Sequence, residues 1–343
     1  MKKNPAGTGK KKRGLSLDGS KGIWSVPFEK ISGARVVKIQ HLFIFSALLV
    51  GAMARRVLIT GATRGIGYAL ARAVLNQSAE NVVVIGARSA AKAQDAMASL
   101  QAEDASFSGR IETVAIDVGS VESIRSAAAT VGPLYALVNN AGVLAKPVDE
   151  VFQTNLVGVK EICEAFIPNV SDRIVMISSG AASNFCSKCS PERVQALTAD
   201  DLTWSQIEGL MEEFIAVGES TAEAGFGPYD SDWSPYGASK ALLNSLTIQL
   251  ARDHPHLCIA ACSPGMIRTD LFQDFAANKG TSIDESIAGF GAKDPKESTV
   301  APLFLLFDGN AKTGLYYGSD GKRSPFAKYR SPGSAEYDGS DGR

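Results

Sequence analysis

The stretch Thr60-Gly-Ala-Thr-Arg-Gly-Ile-Gly67 decides the fold of this 343-residue chain. It follows the short apolar run Val57–Thr60 and precedes Tyr68–Leu75, where apolar residues recur at helical spacing. Glycines at a strand-to-helix junction allow a tight turn and a close approach of the backbone to a ligand. The start of the helix adds unpaired N–H groups and a positive dipole end, so the junction predicts a phosphate-binding turn.

Further short apolar runs follow this turn and alternate with helical segments. They are Val82–Gly86, Ile111–Ile116, Leu134–Val138, Arg173–Ile177 and Leu257–Ala261, with Leu315–Tyr317 as a candidate seventh strand. Such alternation is typical of a parallel sheet covered on both faces. With right-handed crossovers it predicts an α/β fold with a single Rossmann-type doubly wound parallel sheet. The predicted domain spans residues 55–325, and residues 326–343 are predicted to form a disordered tail.

Residues 183–233 interrupt this alternation. They contain an amphipathic helix, expected from about residue 200 to 216, or from near Ser205, because Ser205 and Glu208 have the spacing of a capping box. We interpret the segment as a helical insertion that precedes a long helix at about 235–253.

Residues 1–54 form a basic and apolar extension before the predicted domain. Residues 1–56 carry twelve Lys/Arg and two acids, a net +10, so the remainder carries −11 of the chain's net charge of −1. The uncharged run Leu42–Ala54 is short for a membrane span but suits the apolar part of a targeting signal. Three interpretations stay open: a dispensable extension with Met53 as the natural start, a targeting or membrane-anchoring segment, and packed structure.

Composition excludes several classes of function. The acidic body lacks the clustered cations that phosphate contacts need, so no nucleic-acid partner is predicted. Five cysteines are too few for a disulfide scaffold and suit a reducing compartment, which predicts a cytoplasmic protein. Organelle targeting or membrane association through residues 1–54 is the alternative. The pair Cys186 and Cys189 has no second pair or histidine cluster beside it, so no metal site is predicted.

Further motifs follow the glycine-rich turn, several of them directly after predicted strands. They are Asn139-Asn-Ala-Gly142, Asn155, Ser179, Tyr236-x-x-x-Lys240 and Pro264-Gly265. Together with the Gly-x-x-x-Gly-x-Gly spacing they resemble the short-chain dehydrogenase/reductase family over about residues 55–320. The 57 positions between Ser179 and Tyr236 resemble its carbonyl-reductase group. The resemblance implies NADPH-dependent reduction of ketones, aldehydes and quinones to alcohols by hydride transfer.

Charge at the end of the second predicted strand indicates which nicotinamide cofactor binds. An acid there would hold the free 2′-hydroxyl of NAD and would repel a 2′-phosphate. The stretch Gly86-Ala-Arg-Ser89 has no acid, and Arg88 and Arg64 supply two cations suited to a phosphate. The sequence therefore predicts NADP(H).

Several cofactor contacts come from the resemblance. It makes Asp117 the adenine-contacting aspartate, with a helix N-cap as the alternative, and makes Pro264–Thr269 the loop that closes over the nicotinamide. The full predicted cofactor-binding set is Thr60, Gly61, Thr63, Arg64, Gly65, Ile66, Gly67, Arg88, Asp117, Val118, Asn139, Ala141, Gly142, Tyr236, Lys240, Pro264, Gly265 and Thr269.

Tyr236 and Lys240 share one face of the predicted long helix, because residues four apart are neighbours there. A free phenol has a pKa of about 10, and a nearby ammonium together with the positive charge of the nicotinamide is expected to lower it. The resemblance implies that Tyr236 donates the proton, Lys240 binds the nicotinamide ribose and Ser179 holds the carbonyl oxygen. It makes Asn155 the holder of a relay water, with a helix-packing amide as the alternative; Ser178 is the alternative to Ser179.

Two other functions stay open: an NAD(P)-dependent dehydrogenase or reductase of a lipid or sterol alcohol, and a non-catalytic NADP-binding sensor. In the carbonyl-reductase group the insertion covers the helix face used for dimerisation elsewhere in the family, which implies a monomer. The segment Leu271–Asp294, which closes the substrate pocket in the family, is longer than in the animal enzymes. Met266 occupies a position where a bulky aromatic residue often lies.

Overall fold

The computed structural model describes residues 54–231, 233–289 and 291–340. The interpretations of the N-terminal extension concern residues 1–53 and lie outside these residues. No helix in the described part of the chain combines the length and the apolar character needed to cross a bilayer.

One sheet holds all eight strands of the described residues. The strands are β1 (Arg55–Thr60), β2 (Asn81–Ala87), β3 (Ile111–Ala115), β4 (Leu134–Asn139), β5 (Val170–Ile177), β6 (Cys258–Cys262), β7 (Tyr316–Tyr317) and β8 (Arg323–Ser324). Their order is β3-β2-β1-β4-β5-β6-β7-β8, with every pair parallel except the last. The predicted doubly wound parallel sheet is confirmed, and the short antiparallel β8 was not predicted.

The centre of the sheet creates the crevice in which a ligand can bind. Strand β1 pairs with β2 on one side, where Thr60 lies opposite Gly86, and with β4 on the other, where Ile59 lies opposite Val138. The chain continues from β1 to one edge of the sheet and from β4 to the other. Crossovers therefore leave in opposite directions, and the crevice opens beyond the carboxyl ends of β1 and β4.

Helices cover both faces of the sheet. They are α1 (Gly65–Gln77), α2 (Ala90–Glu103), α3 (Val121–Val131), α4 (Val148–Phe152), α5 (Gly158–Phe166), α6 (Gly180–Cys186), α7 (Pro191–Thr198), α8 (Trp204–Val217), α9 (Ser234–Asp253), α10 (Gln273–Asn278), α11 (Ile283–Ile287) and α12 (Val300–Phe307). A π-helical turn, Gln153–Val157, joins α4 to α5.

The core consists of two main apolar layers, because successive residues of a strand point to opposite faces. In β1, Leu58 lies in one layer, and Val57 and Ile59 lie in the other. All three are fully buried. Burial of each such side chain contributes about 1.5–3 kcal/mol, which explains why the strands read as continuous apolar runs.

The insertion folds as helices against the main domain. Helix α8 begins at Trp204, because Thr203 and Gln206 form the capping box. The predicted start near residue 200 was wrong and the alternative start near Ser205 is confirmed, although Ser205 and Glu208 do not form the capping box. Phe214 of α8 makes edge contacts with the rings of Phe152, Phe185 and Phe226, so the insertion covers part of α4 and α9.

Residues 326–340 have no regular structure but pack on the domain, which differs from the predicted disordered tail. Phe326 is buried against the ring of Tyr316. Arg330 forms an ion pair with Asp320, and its side chain is only 7% exposed. The carboxylate of Glu336 accepts a hydrogen bond from the backbone of Arg323. The tail contains few apolar residues, so hydrophobic pattern alone gave no signal for this packing.

Candidate active site

A cleft of about 490 Å³ opens at the carboxyl ends of the central strands. Of the predicted site residues it is lined by Gly61, Thr63, Arg64, Gly65, Ile66, Gly67, Arg88, Asp117, Val118, Ala141, Gly142, Tyr236, Lys240, Pro264 and Thr269. Other lining residues, not in the predicted set, include Ser89, Lys92, Asn140, Val143, Ser178 and Asp270. Thr60, Asn139, Asn155, Ser179 and Gly265 lie outside its walls.

The glycine-rich turn leaves room for a phosphate. Gly61 has φ +67°, a conformation that favours glycine. A Cβ at Gly67 would lie 2.6 Å from the carbonyl oxygen of Gly61, so α1 approaches the turn more closely than a side chain permits. Arg64 is the N-cap residue of α1 and makes no side-chain cap. The first N–H groups of α1 therefore stay available to an anion beside the cleft.

Basic residues line the cleft beside β2. Arg88 follows β2 and is exposed, and Lys92 lies in the first turn of α2. The hydroxyl of Ser89 caps α2 by accepting a hydrogen bond from the Lys92 backbone. Arg64 faces the same cleft but is paired with Asp270 at 3.0 Å. Lys92 was missed in the sequence, since only a helix start fixed by Ser89 brings it to the cleft.

The two asparagines of the motif at the end of β4 make different contacts. Asn140 donates to the carbonyl of Thr60 at 2.8 Å, and the Thr60 hydroxyl accepts from the backbone of Asn140 and Ala141. These bonds fix the glycine turn against β4. Asn139 instead donates to the sulfur atoms of Cys163 and Met176 inside the core. The Asn139 side chain therefore points away from the cleft, and the cofactor contact of this residue stays a prediction.

Asp117 lies at the cleft wall after β3. One of its carboxylate oxygens accepts a hydrogen bond from the backbone of Gly119. Ser120 is the N-cap of α3, with its hydroxyl accepting from Ser123. The alternative interpretation of Asp117 as a helix N-cap was therefore wrong.

Helix α9 brings Tyr236 and Lys240 to the cleft on one face. The Lys240 Nζ atom lies 5.8 Å from the centroid of the Tyr236 ring and donates to the carbonyl of Ile177, at 2.9 Å, at the end of β5. The Tyr236 hydroxyl shares a hydrogen bond with the Ser179 side chain. Both α9 residues are nearly fully buried, at 8% and 4% exposed.

Burial decides the protonation of these two groups. It raises the pKa of the Tyr236 phenol to about 12, although the hydrogen bond with Ser179 lowers it. Burial also lowers the pKa of the Lys240 ammonium to about 8. Desolvation of the phenolate therefore dominates in the chain alone, and the lowering expected from Lys240 together with the nicotinamide charge stays a prediction for the cofactor-bound site. Tyr236 is therefore a neutral proton donor near pH 7.

Asn155 lies in the π-helical turn and is fully buried. Its amide nitrogen donates to the carbonyl of Val143 and to the Ser239 hydroxyl, and its oxygen accepts from the Val143 backbone. Both amide protons are thus used, and one lone pair of the oxygen remains. A Cβ on Gly142 would lie 3.1 Å from that oxygen and 3.6 Å from Lys240 Nζ, so the glycine keeps open the space between them.

Ser178 and Ser179 differ in what their hydroxyls touch. Ser179 contacts Tyr236 and also caps α6, accepting from the Ala181 backbone at 3.1 Å. Ser178 forms part of the cleft wall, but its hydroxyl donates to the carbonyl of Lys240 at 3.4 Å. The contact with Tyr236 favours Ser179 as the residue beside the reacting atoms.

An apolar cluster packs around Tyr236. Leu144, Phe272, Phe275 and Ile287 form a buried cluster with its ring, and Trp233, Met266 and Leu271 pack against that cluster. The predicted pocket-closing segment, residues 271–294, supplies much of this surface through α10 and α11. The segment ends close to the loop from which it starts, because Ile267 and Lys293 form an isolated parallel β-bridge. Tyr236 and Leu271 belong both to this cluster and to the cleft wall, so this side of the cleft suits a substrate with an apolar body.

The described residues fit a nicotinamide dinucleotide. The uncapped start of α1 and the glycine turn suit its pyrophosphate, and the cations beside β2 suit a further phosphate. Tyr236 and Lys240, the predicted catalytic pair, line the same cleft. Within the described ranges, no three His, Cys, Asp or Glu side chains form a group that would hold a metal ion.

Comparison with known proteins places this geometry in a family. The sequence profile described as short chain dehydrogenase matches residues 55–190. Carbonyl reductase [NADPH] 1 from Oryctolagus cuniculus is 30% identical over 276 residues, covering 73% of this chain and 90% of that protein. The chain belongs to the short-chain dehydrogenase/reductase family. The Rattus norvegicus carbonyl reductase [NADPH] 1 is 29% identical over 271 residues, 72% of this chain and 89% of that protein.

The fold of a short-chain dehydrogenase/reductase is supported by solved structures as well. Salutaridine reductase from Papaver somniferum has a TM-score of 0.63 and 22% identity, covering 77% of this chain and 99% of that chain. Membership of the short-chain dehydrogenase/reductase family makes this protein an oxidoreductase that uses a nicotinamide cofactor, and its sequence is carbonyl-reductase-like.

Proposed function

We propose that this protein reduces ketones, aldehydes and quinones to alcohols with NADPH. The observation that carries the proposal is that Tyr236 and Lys240 line the same cleft as the glycine turn, with the Ser179 hydroxyl bonded to Tyr236 behind the cleft wall. The carbonyl reductases [NADPH] 1 to which the chain is similar support this reaction class. The substrate is a small molecule with an apolar body, which would lie against the cleft wall at Tyr236 and Leu271, where the apolar cluster borders the cleft.

In this reaction NADPH supplies the hydride that reaches the carbonyl carbon. Tyr236 gives its phenolic proton to the carbonyl oxygen, and its raised pKa keeps that proton in place at neutral pH. Ser179 holds the oxygen while negative charge develops there. Lys240 binds the ribose and returns a proton toward Tyr236. Asn155 and the open space at Gly142 hold the water that supplies this proton.

The preference for NADPH rests on charge. The end of β2 carries Arg88 rather than an acid, and Lys92 lies one helical turn beyond it. A carboxylate in this place would repel a 2′-phosphate, whereas a guanidinium binds it with paired hydrogen bonds. The chain is also expected to be a monomer, since the insertion covers part of α9.

The direct test is NADPH oxidation with menadione and with an aromatic ketone, for the wild type and Tyr236→Phe. The variant keeps the buried ring and removes the proton donor, so kcat should fall by about 10²–10⁴-fold. The Kd for NADPH should be unchanged. Equal rates in the two proteins would reject the mechanism, and a wild type inactive with every carbonyl compound would reject the function.

One observation favours a second candidate, a dehydrogenase or reductase of a lipid or sterol alcohol. The apolar cluster around Tyr236 is rich in aromatic rings, among them Trp233, whose ring centroid lies 5.5 Å from that of Phe275. A cleft bordered by such a cluster also suits a large, fully apolar alcohol. Oxidation of hydrophobic alcohols with NAD, faster than reduction of menadione with NADPH, would establish this alternative.

A further inference from the structure

The C-terminal segment brings an aromatic ring to the catalytic side of the domain. The ring of Tyr329 packs against Gly180, where an added Cβ would lie 2.8 Å from the ring carbon Cε2. Gly180 follows Ser179 directly, and Ser179 contacts the Tyr236 hydroxyl. One residue therefore separates Tyr329 from the side chain that is proposed to hold the carbonyl oxygen.

The same ring also lines a second cavity. This cavity, of about 200 Å³, is lined by Tyr329, Met266, Gly265 and Ser263, among others. Met266 also packs against the apolar cluster around Tyr236. Met266 thus contacts both the apolar cluster around Tyr236 and the cavity that Tyr329 lines. A substituent of the substrate that extends past Ser179 and Met266 would meet the Tyr329 ring.

A buried ion pair holds Tyr329 in this position. The Arg330 guanidinium pairs with Asp320 and donates to the Ser324 hydroxyl at 3.0 Å and to the carbonyl of Ser334 at 3.0 Å. Asp320 also accepts from the Gly333 backbone at 2.9 Å. A buried, multiply bonded arginine fixes its neighbours far better than an exposed ion pair does.

We infer that Tyr329 is a specificity-determining residue, which forms one wall of the substrate pocket and is held there by the Asp320–Arg330 pair. The inference rests on the proposed carbonyl reduction and adds to it a preference for flat, aromatic substituents. Tyr329 remains 46% exposed, so one part of its ring is free to meet a ligand. The ring excludes bulky branched substituents from the space beside Gly180 and stacks on planar ones.

The experiment compares an aromatic ketone with a small aliphatic ketone. In Tyr329→Ala the KM for the aromatic ketone should rise by about tenfold, the value of one good ring contact. The kcat and KM for the small ketone should be unchanged, as should the Kd for NADPH. Tyr329→Phe keeps the ring and should behave like the wild type. Tyr337→Ala is the matched control, because Tyr337 lies in the same tail but faces Arg323.

The ion pair is tested with Arg330→Met. Loss of the pair should give the same rise in KM as Tyr329→Ala and should expose residues 326–340 to proteolysis. If this variant does not fold, the Tyr329 variants decide alone, since a half-exposed ring can be removed without leaving a buried polar group unpaired.

The outcomes separate the two hypotheses. An unchanged ratio of kcat/KM between the two ketones in Tyr329→Ala overturns the inference while leaving carbonyl reduction intact. A wild type without activity rejects the proposed function. Calorimetric titration of the NADPH complex with the aromatic ketone then decides the role of Tyr329, and equal affinity in the wild type and Tyr329→Ala, or no binding at all, overturns it.

Discussion

Arg64 and Asp270 join two loops across the mouth of the cofactor cleft. The Arg64 Nη1 atom lies 3.0 Å from a carboxylate oxygen of Asp270, although 206 positions separate the two residues. Arg64 belongs to the glycine turn after β1, and Asp270 follows the loop after β6. Both side chains are more than half exposed, so the pair contributes at most about 1 kcal/mol. Little free energy is therefore lost when Arg64 leaves Asp270 to bind a cofactor phosphate.

Asp270→Asn should consequently strengthen NADPH binding slightly. The variant removes the carboxylate that competes for Arg64, and an exposed pair of this kind limits the gain to about fivefold in Kd. Fluorescence titration at low and high salt measures it, and salt should reduce the difference. Asp274→Asn is the matched control, because Asp274 pairs with Lys146 instead. Weaker NADPH binding in Asp270→Asn would show that the pair supports the site.

Arg88→Ala should lower the preference for NADPH over NADH. A charge-assisted hydrogen bond contributes about 1.5–3 kcal/mol, so the KM for NADPH should rise by about 10–100-fold. The KM for NADH should change by less than about threefold. Arg125→Ala controls for loss of an exposed positive charge, since Arg125 lies in α3 outside the cleft wall. A parallel rise in both KM values would contradict the assignment of Arg88 to the 2′-phosphate.

Ser179→Ala should reduce kcat/KM for carbonyl reduction by about 10²–10³-fold, since the hydroxyl that stabilises the developing charge is lost. Ser178→Ala should retain activity within a few-fold, because its hydroxyl makes one long bond to the Lys240 carbonyl. Ser179→Ala also removes the side-chain cap of α6, so the loss of a helix cap needs its own control. Ser190→Ala provides the control, since Ser190 caps α7 in the same way outside the cleft wall. A greater loss of kcat/KM in Ser178→Ala than in Ser179→Ala would mean that Ser178, and not Ser179, holds the carbonyl oxygen.

The sequence predicted the parts of this site that depend on local pattern. The glycine turn, the Tyr236–Lys240 pair on one helix face and the arginine after β2 each follow from spacing and charge within a short stretch. The direction of the Asn139 side chain could not be predicted, because which of two adjacent asparagines faces the cleft depends on where β4 ends. The high pKa of Tyr236 also escaped prediction, since it depends on burial by Leu144, Phe272 and other distant residues.

The packing of the tail escaped prediction for a related reason. The Asp320–Arg330 pair joins residues ten positions apart in a polar stretch without helical or strand periodicity. Its effect depends on burial beneath the following backbone, which no local pattern indicates. The capping box of α8 was misplaced by two residues because Thr203/Gln206 and Ser205/Glu208 have the same spacing, and only packing of the helix decides between them.

Lys240→Met should make the protein more stable at pH 7 while abolishing activity. The unfolded lysine, with a pKa of 10.5, keeps a proton that the folded lysine releases at about 8. The unfolded state thus binds more protons between these values, and the free energy of unfolding of the wild type should rise from pH 8 to 10.5. Below pH 8 the buried ammonium costs up to roughly 3 kcal/mol.

In Lys240→Met this cost disappears, and the lost bond to Ile177 offsets part of the gain, so unfolding in urea should require about 1–3 kcal/mol more. Lys296→Met, at an exposed position, should change stability by less than about 0.5 kcal/mol. The low pKa of Lys240 is refuted if the free energy of unfolding of the wild type does not rise between pH 8 and 10.5 and Lys240→Met is no more stable than the wild type at pH 7.

Gly67→Ala should weaken both the fold and cofactor binding, whereas Gly209→Ala should stabilise the protein. A Cβ at Gly67 would lie 2.6 Å from the Gly61 carbonyl oxygen, so α1 must move from the turn, at about 1–3 kcal/mol. Nothing lies within 4 Å of a Cβ at Gly209, an exposed position inside α8, where alanine favours the helix by about 0.5–1 kcal/mol. Urea unfolding and NADPH titration measure the two effects. Wild-type affinity in Gly67→Ala would mean that the close approach of α1 to the turn is not needed to bind the cofactor.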